Sequence, residues 1–119
     1  MNFNEHRING VSVVEILEDG VILRNAQNLL DLISDFAVKH VILKKENIAE
    51  AFFDLHTGLA GDILQKATAF RIFVGVIGDF SAVESRSLRE FIIECNEERR
   101  LIFKPTVEAA LRVFCRKRS

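Results

Sequence analysis

The sequence predicts an α/β domain: an open mixed sheet with an N-terminal hairpin and parallel βαβ units covered by helices. Three observations predict it. Asn9-Gly10 separates two strand-like runs, and Asn-Gly suits the two φ > 0 positions of a two-residue hairpin turn. Val41-Ile42-Leu43 and Arg71-Ile72-Phe73-Val74-Gly75-Val76-Ile77 are nearly continuous apolar runs, as expected of central parallel strands buried on both faces. Between and after them apolar residues recur at three- and four-residue steps, the period of a helix with one buried face.

Taken in order, Phe3 to Ile8 and Val11 to Leu17 form the hairpin. After the turn signal Glu18-Asp19-Gly20, the run Val21-Ile22-Leu23 extends the sheet, and Asn25 is the N-cap of a first helix. That helix starts at Ala26 and buries Leu29, Leu30, Ile33, Phe36 and Ala37. A second helix, with Leu59, Ala60, Ile63, Leu64, Ala67 and Phe70 on one face, joins the two apolar strands as a βαβ unit. Ser81-Ala82-Val83-Glu84 matches a capping box and opens a third helix, with Leu88, Phe91, Ile92 and Cys95 inward. Leu101-Ile102-Phe103 is the last strand. Pro105 stops it and Thr106 caps a final helix that buries Ala109, Ala110, Val113 and Phe114. Arg116-Lys117-Arg118 ends that helix, where cations complement its dipole.

Composition bounds the function. The chain has 119 residues, 49% of them hydrophobic, enough for one continuous core, so residues 1–119 are expected to form a single domain. Sixteen Lys and Arg face seventeen Asp and Glu, so no global charge argues for nucleic acid or an anionic membrane. Cys95 and Cys115 fall on apolar helix positions, where free cysteine behaves as a small buried hydrophobe. Two cysteines without CxxC spacing suggest neither a zinc site nor a disulfide framework. The start Met1 to Arg7 lacks a secretory pattern, and no apolar run reaches the length of a membrane span. The expected location is the cytoplasm.

Chemistry-bearing residues concentrate in two places. Asp54, His56 and Thr57 precede a helix whose early Gly58 and Gly61 present no side chain to an approaching ligand. Free N–H groups and the positive dipole end at a helix start suit an anion. Asp54 or Thr57 as a plain helix cap explains the same residues. The second cluster, Gly78-Asp79-Phe80-Ser81, follows the strongest strand, at the end where open α/β sheets place ligand crevices. His56 has no second His or Cys at ligand spacing, so no metal is expected. The dinucleotide and P-loop fingerprints are missing, so no nucleotide cofactor is expected either.

Two family resemblances add to this reading. Phe53-Asp54-Leu55, Thr57-Gly58-Leu59-Ala60-Gly61, Ile63-Leu64-Gln65-Lys66, Gly78-Asp79-Phe80-Ser81 and Ser87-Leu88-Arg89-Glu90-Phe91-Ile92 resemble an uncharacterised bacterial family, a domain of unknown function, along nearly the whole chain. The element order, and the segment from Val38 to Gly78, resemble the STAS domain of anti-sigma-factor antagonists. In that family an Asp-Ser-Ser-Gly loop opens a helix and its second hydroxyl is phosphorylated by a partner kinase. Asp54-Leu55-His56-Thr57-Gly58 is similar, with one residue more before the hydroxyl and His56 in place of the first Ser. The resemblance implies a STAS-like fold with Thr57 as phosphoacceptor.

Three functional readings follow. The first is a STAS-like regulatory or interaction domain that meets an unknown protein partner through Asp54–Gly61 and the helix after it. The second is a small enzyme or anionic-ligand-binding protein using Asp54, His56, Thr57 and Asp79, with Ser81 nearby. The third is a homodimer with apolar surface at its interface, for which Phe52 and Phe53, side by side and pointing to opposite faces of a strand, are suited. The discriminating observation is whether Asp54, His56 and Asp79 line one pocket or a convex face.

Overall fold

The computed structural model describes residues 1–116. Five strands, β1 (Phe3–Ile8), β2 (Val11–Ile16), β3 (His40–Lys44), β4 (Phe73–Ile77) and β5 (Leu101–Lys104), form one sheet in the order β1-β2-β3-β4-β5. β1 and β2 are antiparallel, and every later pairing is parallel. The helices are α1 (Ala26–Phe36), α2 (Leu59–Phe70), α3 (Arg86–Glu98) and α4 (Val107–Phe114). The mixed α/β architecture with its opening hairpin is the one expected from the sequence.

Local chemistry sets the element ends. Asn9 and Gly10 take φ values of 51° and 80°, as a type I′ turn requires. The Asn25 side chain accepts the Asn28 N–H and the Thr106 hydroxyl accepts the Ala109 N–H, so both expected caps are in place. α2 ends at Arg71, which is left-handed at φ 57°, and therefore β4 begins at Phe73 rather than Arg71.

Side-chain alternation sorts each strand between two cores. On one face Val14, Ile16, Val41, Leu43, Val74, Val76, Leu101 and Phe103 pack beneath α1, α2 and α3. On the other, Val13, Ile42 and Ile102 meet Ala110, Phe114 and Cys115 of α4 and its C-cap. β4 splits between them as alternation demands, with Phe73 and Ile77 on the α4 side. Gly75 lies directly under α4. A Cβ there would fall 3.3 Å from the Phe114 ring and 3.5 Å from Ala110 Cβ, so glycine lets helix and sheet approach closely.

Four expectations are corrected. Val21-Ile22-Leu23 is not a sheet strand: Leu23 makes one isolated bridge to Ile48, and the buried Asn47 amide donates to the carbonyls of Glu18 and Gly20, holding this segment as a loop. Ser81 does not cap α3. Asp79 Oδ1 takes both the Ser81 hydroxyl and its N–H, and the helix starts four residues later with Ser85 accepting the Leu88 N–H. Phe52 and Phe53 lie in a 3-10 turn, Glu50–Phe53, and not on two faces of a strand. Phe52 is fully buried, and Phe53 packs on it edge to face at 5.0 Å. The last helix stops at Phe114, before Arg116; the expected continuation through Lys117 and Arg118 lies outside the described residues.

Candidate functional site

The parallel strands deliver their carboxyl ends to one rim of the sheet, and both clusters singled out in the sequence sit on it. From β3 the chain runs through the 3-10 turns Lys45–Asn47, Glu50–Phe53 and Leu55–Thr57 into α2. From β4 it runs through Gly78, Asp79, Phe80 and Ser81 toward α3. Phe53 and Phe80 join the two loops, their ring centroids 6.3 Å apart. The Lys45 ammonium lies 5.6 Å from the Phe53 centroid and 5.3 Å from that of Phe80, within cation–π range of both. Phe80 in turn stands edge to face on Phe103 of β5. The junction of the two loops is therefore an aromatic pair carrying the Lys45 ammonium.

The Asp54–Gly58 turn is folded by its own polar groups. Asp54 Oδ1 accepts the His56 N–H at 3.1 Å, an Asx-type turn that caps the 3-10 segment. The Thr57 hydroxyl donates toward the carbonyls of Ala51 at 2.6 Å and Asp54 at 2.9 Å, and accepts the Leu59 N–H at 3.3 Å. Gly58, at φ 79°, is the left-handed junction into α2. The expectation that Asp54 or Thr57 caps α2 is corrected: the N-cap of α2 is Gly58, without a side-chain cap bond, Asp54 caps the short turn instead, and Thr57 meets only the first N–H of α2. Gly61 has open space where a Cβ would stand. Asp54, His56, Thr57, Gly58 and Gly61 are all exposed.

Across the Phe53–Phe80 contact, Asp79 and Ser81 are exposed as well. The Ser81 hydroxyl and then its N–H, with a smaller contribution from the charge of Lys45, hold the Asp79 carboxyl below the usual carboxylate range. Among the described residues no hydrogen bond joins Asp54, His56 or Thr57 to Asp79 or Ser81. The two clusters share a rim. The same residues contain no group of three or more His, Cys, Asp or Glu able to hold a metal, and no helix is long and apolar enough to cross a membrane.

Two grooves flank or lie away from this rim. One of about 700 Å³ runs beside Lys45 and Phe53 over Val21, Ile48 and Ile77. At its edge Lys44 is held by Asp19 at 3.1 Å and Glu46 at 3.3 Å, and the hydrogen bond to Asp19 raises the Lys44 pKa above its ordinary value. A larger groove, about 830 Å³, lies between α3 and α4, with Arg99, Lys104, Arg112 and Arg116 around it and Glu108 the one carboxylate among the described residues that line it. The sequence reading missed this basic groove because its charges come from three separated elements. Lys45 and its aromatic neighbours were missed for a similar reason: Lys44-Lys45 reads as a solvated strand end.

Comparison with known proteins adds one finding. A family model described as a domain of unknown function, DUF4180, matches residues 8–113. No curated protein matches the chain, and no solved structure does.

Proposed function

We propose that this chain, which belongs to the DUF4180 family, is a non-catalytic interaction domain that docks a protein partner on the carboxyl-end rim of its sheet. One observation carries the reading: the Asp54 carboxylate and the Thr57 hydroxyl are engaged in holding the turn's own backbone, while beside them an exposed lysine stands over two half-buried aromatic rings. A catalytic site needs groups free to meet a substrate at one point. A rigid turn beside apolar surface with one charge is what a docking face needs, because preformed shape lowers the ordering cost of binding.

The STAS resemblance supplies the finer reading. There Thr57 is the phosphoacceptor, and its bonding gives that modification a physical consequence. A phosphate on Oγ1 removes the donor and sets several acceptor oxygens against the Ala51 and Asp54 carbonyls. The turn must then open, and the docking face changes shape. The element order, an antiparallel hairpin followed by parallel strands with intervening helices, is consistent with that resemblance.

The test compares partners co-purified from the native cell lysate by wild type, Lys45→Glu, Thr57→Asp, Thr57→Val and, as a remote control, Arg112→Glu. Lys45→Glu and Thr57→Asp are expected to lose proteins that the control keeps, with melting temperatures close to wild type. Thr57→Val should lose less than Thr57→Asp, since it removes the bonds without adding charge. Full retention of every partner by Lys45→Glu and Thr57→Asp would remove the rim as the docking face.

A further inference from the structure

The sheet has two edges, and they end differently. At β5 the outward N–H of Phe103 donates to Asn96 Oδ1 of α3 at 2.8 Å, so a helix closes that edge. At the other end β1 is, among the described residues, bonded to β2 alone, and five of its six residues are exposed.

The register shows which of its backbone groups face outward. A two-residue type I′ hairpin makes Ile8 and Val11 a mutually hydrogen-bonded pair. At the far end the Leu17 N–H donates to the Asn2 carbonyl at 2.9 Å, which fixes the same parity. The even-numbered residues of β1 therefore bond to β2, and the N–H and C=O groups of Phe3, Glu5 and Arg7 point away from the sheet. The side chains of Glu5 and Arg7 are both exposed, and among the described residues neither forms an ion pair within the chain.

We propose that this edge pairs with the β1 edge of a second copy, antiparallel about a two-fold axis at His6, so that the two sheets become one continuous sheet. Outward-facing residues must lie opposite outward-facing residues in an antiparallel ladder, which leaves few registers. Centring the axis on Glu5 sets glutamate against glutamate, and centring it on Arg7 sets arginine against arginine; like charges directly opposite are destabilising. Centring on Asn4 leaves Arg7 outside the ladder. Centring on His6 places Glu5 of each copy opposite Arg7 of the other, two opposite-charge pairs from one symmetric arrangement. In the same register Ile8, 40% exposed in the single chain, lies opposite Asn4 of the other copy.

Sedimentation velocity over a concentration series tests this, with melting temperature recorded for each variant. Wild type is expected to dimerise. Glu5→Arg and Arg7→Glu each alter both symmetric pairs, and each should weaken the dimer by about tenfold. The double variant Glu5→Arg/Arg7→Glu restores the pairs in reverse and should recover it. Glu5→Pro removes an outward N–H together with the Glu5 carboxylate at an edge-strand position where proline is tolerated, so it should abolish the dimer and leave the monomer folded. A monomer at every concentration, a dimer that ignores the single substitutions, or a double variant that stays as weak as the singles would each overturn the proposal. Protection of β1 only on a strand from a different protein would assign the edge to that protein instead.

Discussion

On one face of the sheet three helices and the 3-10 turns close over Val14, Val41, Val74 and Leu101. On the other a single eight-residue helix crosses Val13, Ile42 and Ile102 and leaves Val11, His40, Phe73 and Ile77 only half-buried. The difference teaches that a continuous apolar run establishes a strand's interior place but not how deeply each face is covered. In β3, Val41 and Leu43 look toward the thick layer, while His40, Ile42 and Lys44 look toward the thin one. Only Ile42 of those three is apolar, so the strand carried the asymmetry in its alternation.

The largest expected effect contrasts one phenylalanine from each layer. Phe52→Ala empties a site that is 0% exposed and should cost about 3–5 kcal/mol in a denaturant titration. Phe73→Ala, on the thin face and half-buried beneath the Arg100 guanidinium, should cost about 2 kcal/mol, since less apolar surface returns to water. Equal losses would erase the distinction between the layers.

A second contrast asks whether the thin layer can be lifted alone. Gly75→Val pushes two methyl groups toward Phe114 and Ala110, an overpacking that should cost about 1–3 kcal/mol. Cys115 caps the C-terminus of α4 and Cys95 lies on the buried face of α3. Burial, followed by Glu98 and Glu94, pushes the Cys95 thiol pKa up to about 12, and burial raises that of Cys115. Both thiols should therefore react slowly in the native protein. In Gly75→Val, Cys115 should be labelled at lower denaturant than Cys95. Simultaneous labelling would mean that the two faces open as one unit.

The smallest effect belongs to pH. His40 stacks on Phe73 at 4.4 Å and meets Phe114 edge to face. Burial, and after it the charge of Arg100, lowers its pKa below the ordinary 6.5. The unfolded chain thus binds this proton more readily than the folded one. The stability it contributes is whole above pH 6.5 and is lost as pH falls from there through the lower folded-state value. Urea titrations across that window should show a steeper decline for wild type than for His40→Phe, which keeps the stack without the titration. Parallel curves would remove His40 as the cause.

Much of the fold was legible because it is written in short-range chemistry. Asn9-Gly10 dictates its turn, Asn25 and Thr106 cap the helices expected of them, and the β4 run has no polar residue from Ile72 to Ile77. The misses are places where two local solutions compete. Ser81 with Glu84 has the spacing of a capping box, but Asp79 lies two residues before Ser81 and takes its hydroxyl and N–H first. Ser85, the real cap, has no acidic residue three positions on to announce it. The fate of Val21-Ile22-Leu23 depends on Asn47, whose amide satisfies distant carbonyls, and a lone Asn after Lys-Lys-Glu reads as solvent-facing. At the candidate site the sequence marked the Asp54 and Asp79 loops. It did not mark Lys45 between Phe53 and Phe80, because that juxtaposition exists only after the strands align.

The order of strands across the sheet is also their order along the chain. A ribosome delivers such a sheet in the sequence in which it assembles: each new strand finds its partner already present, and no completed strand waits for a distant one. Local connectivity of this kind favours fast folding. The exception comes last. Val13, Ile42 and Ile102 have no cover on their side until α4 has emerged, so the interval between the emergence of β5 and that of α4 is when the nascent chain exposes its second core, and shielding by a chaperone would matter most there.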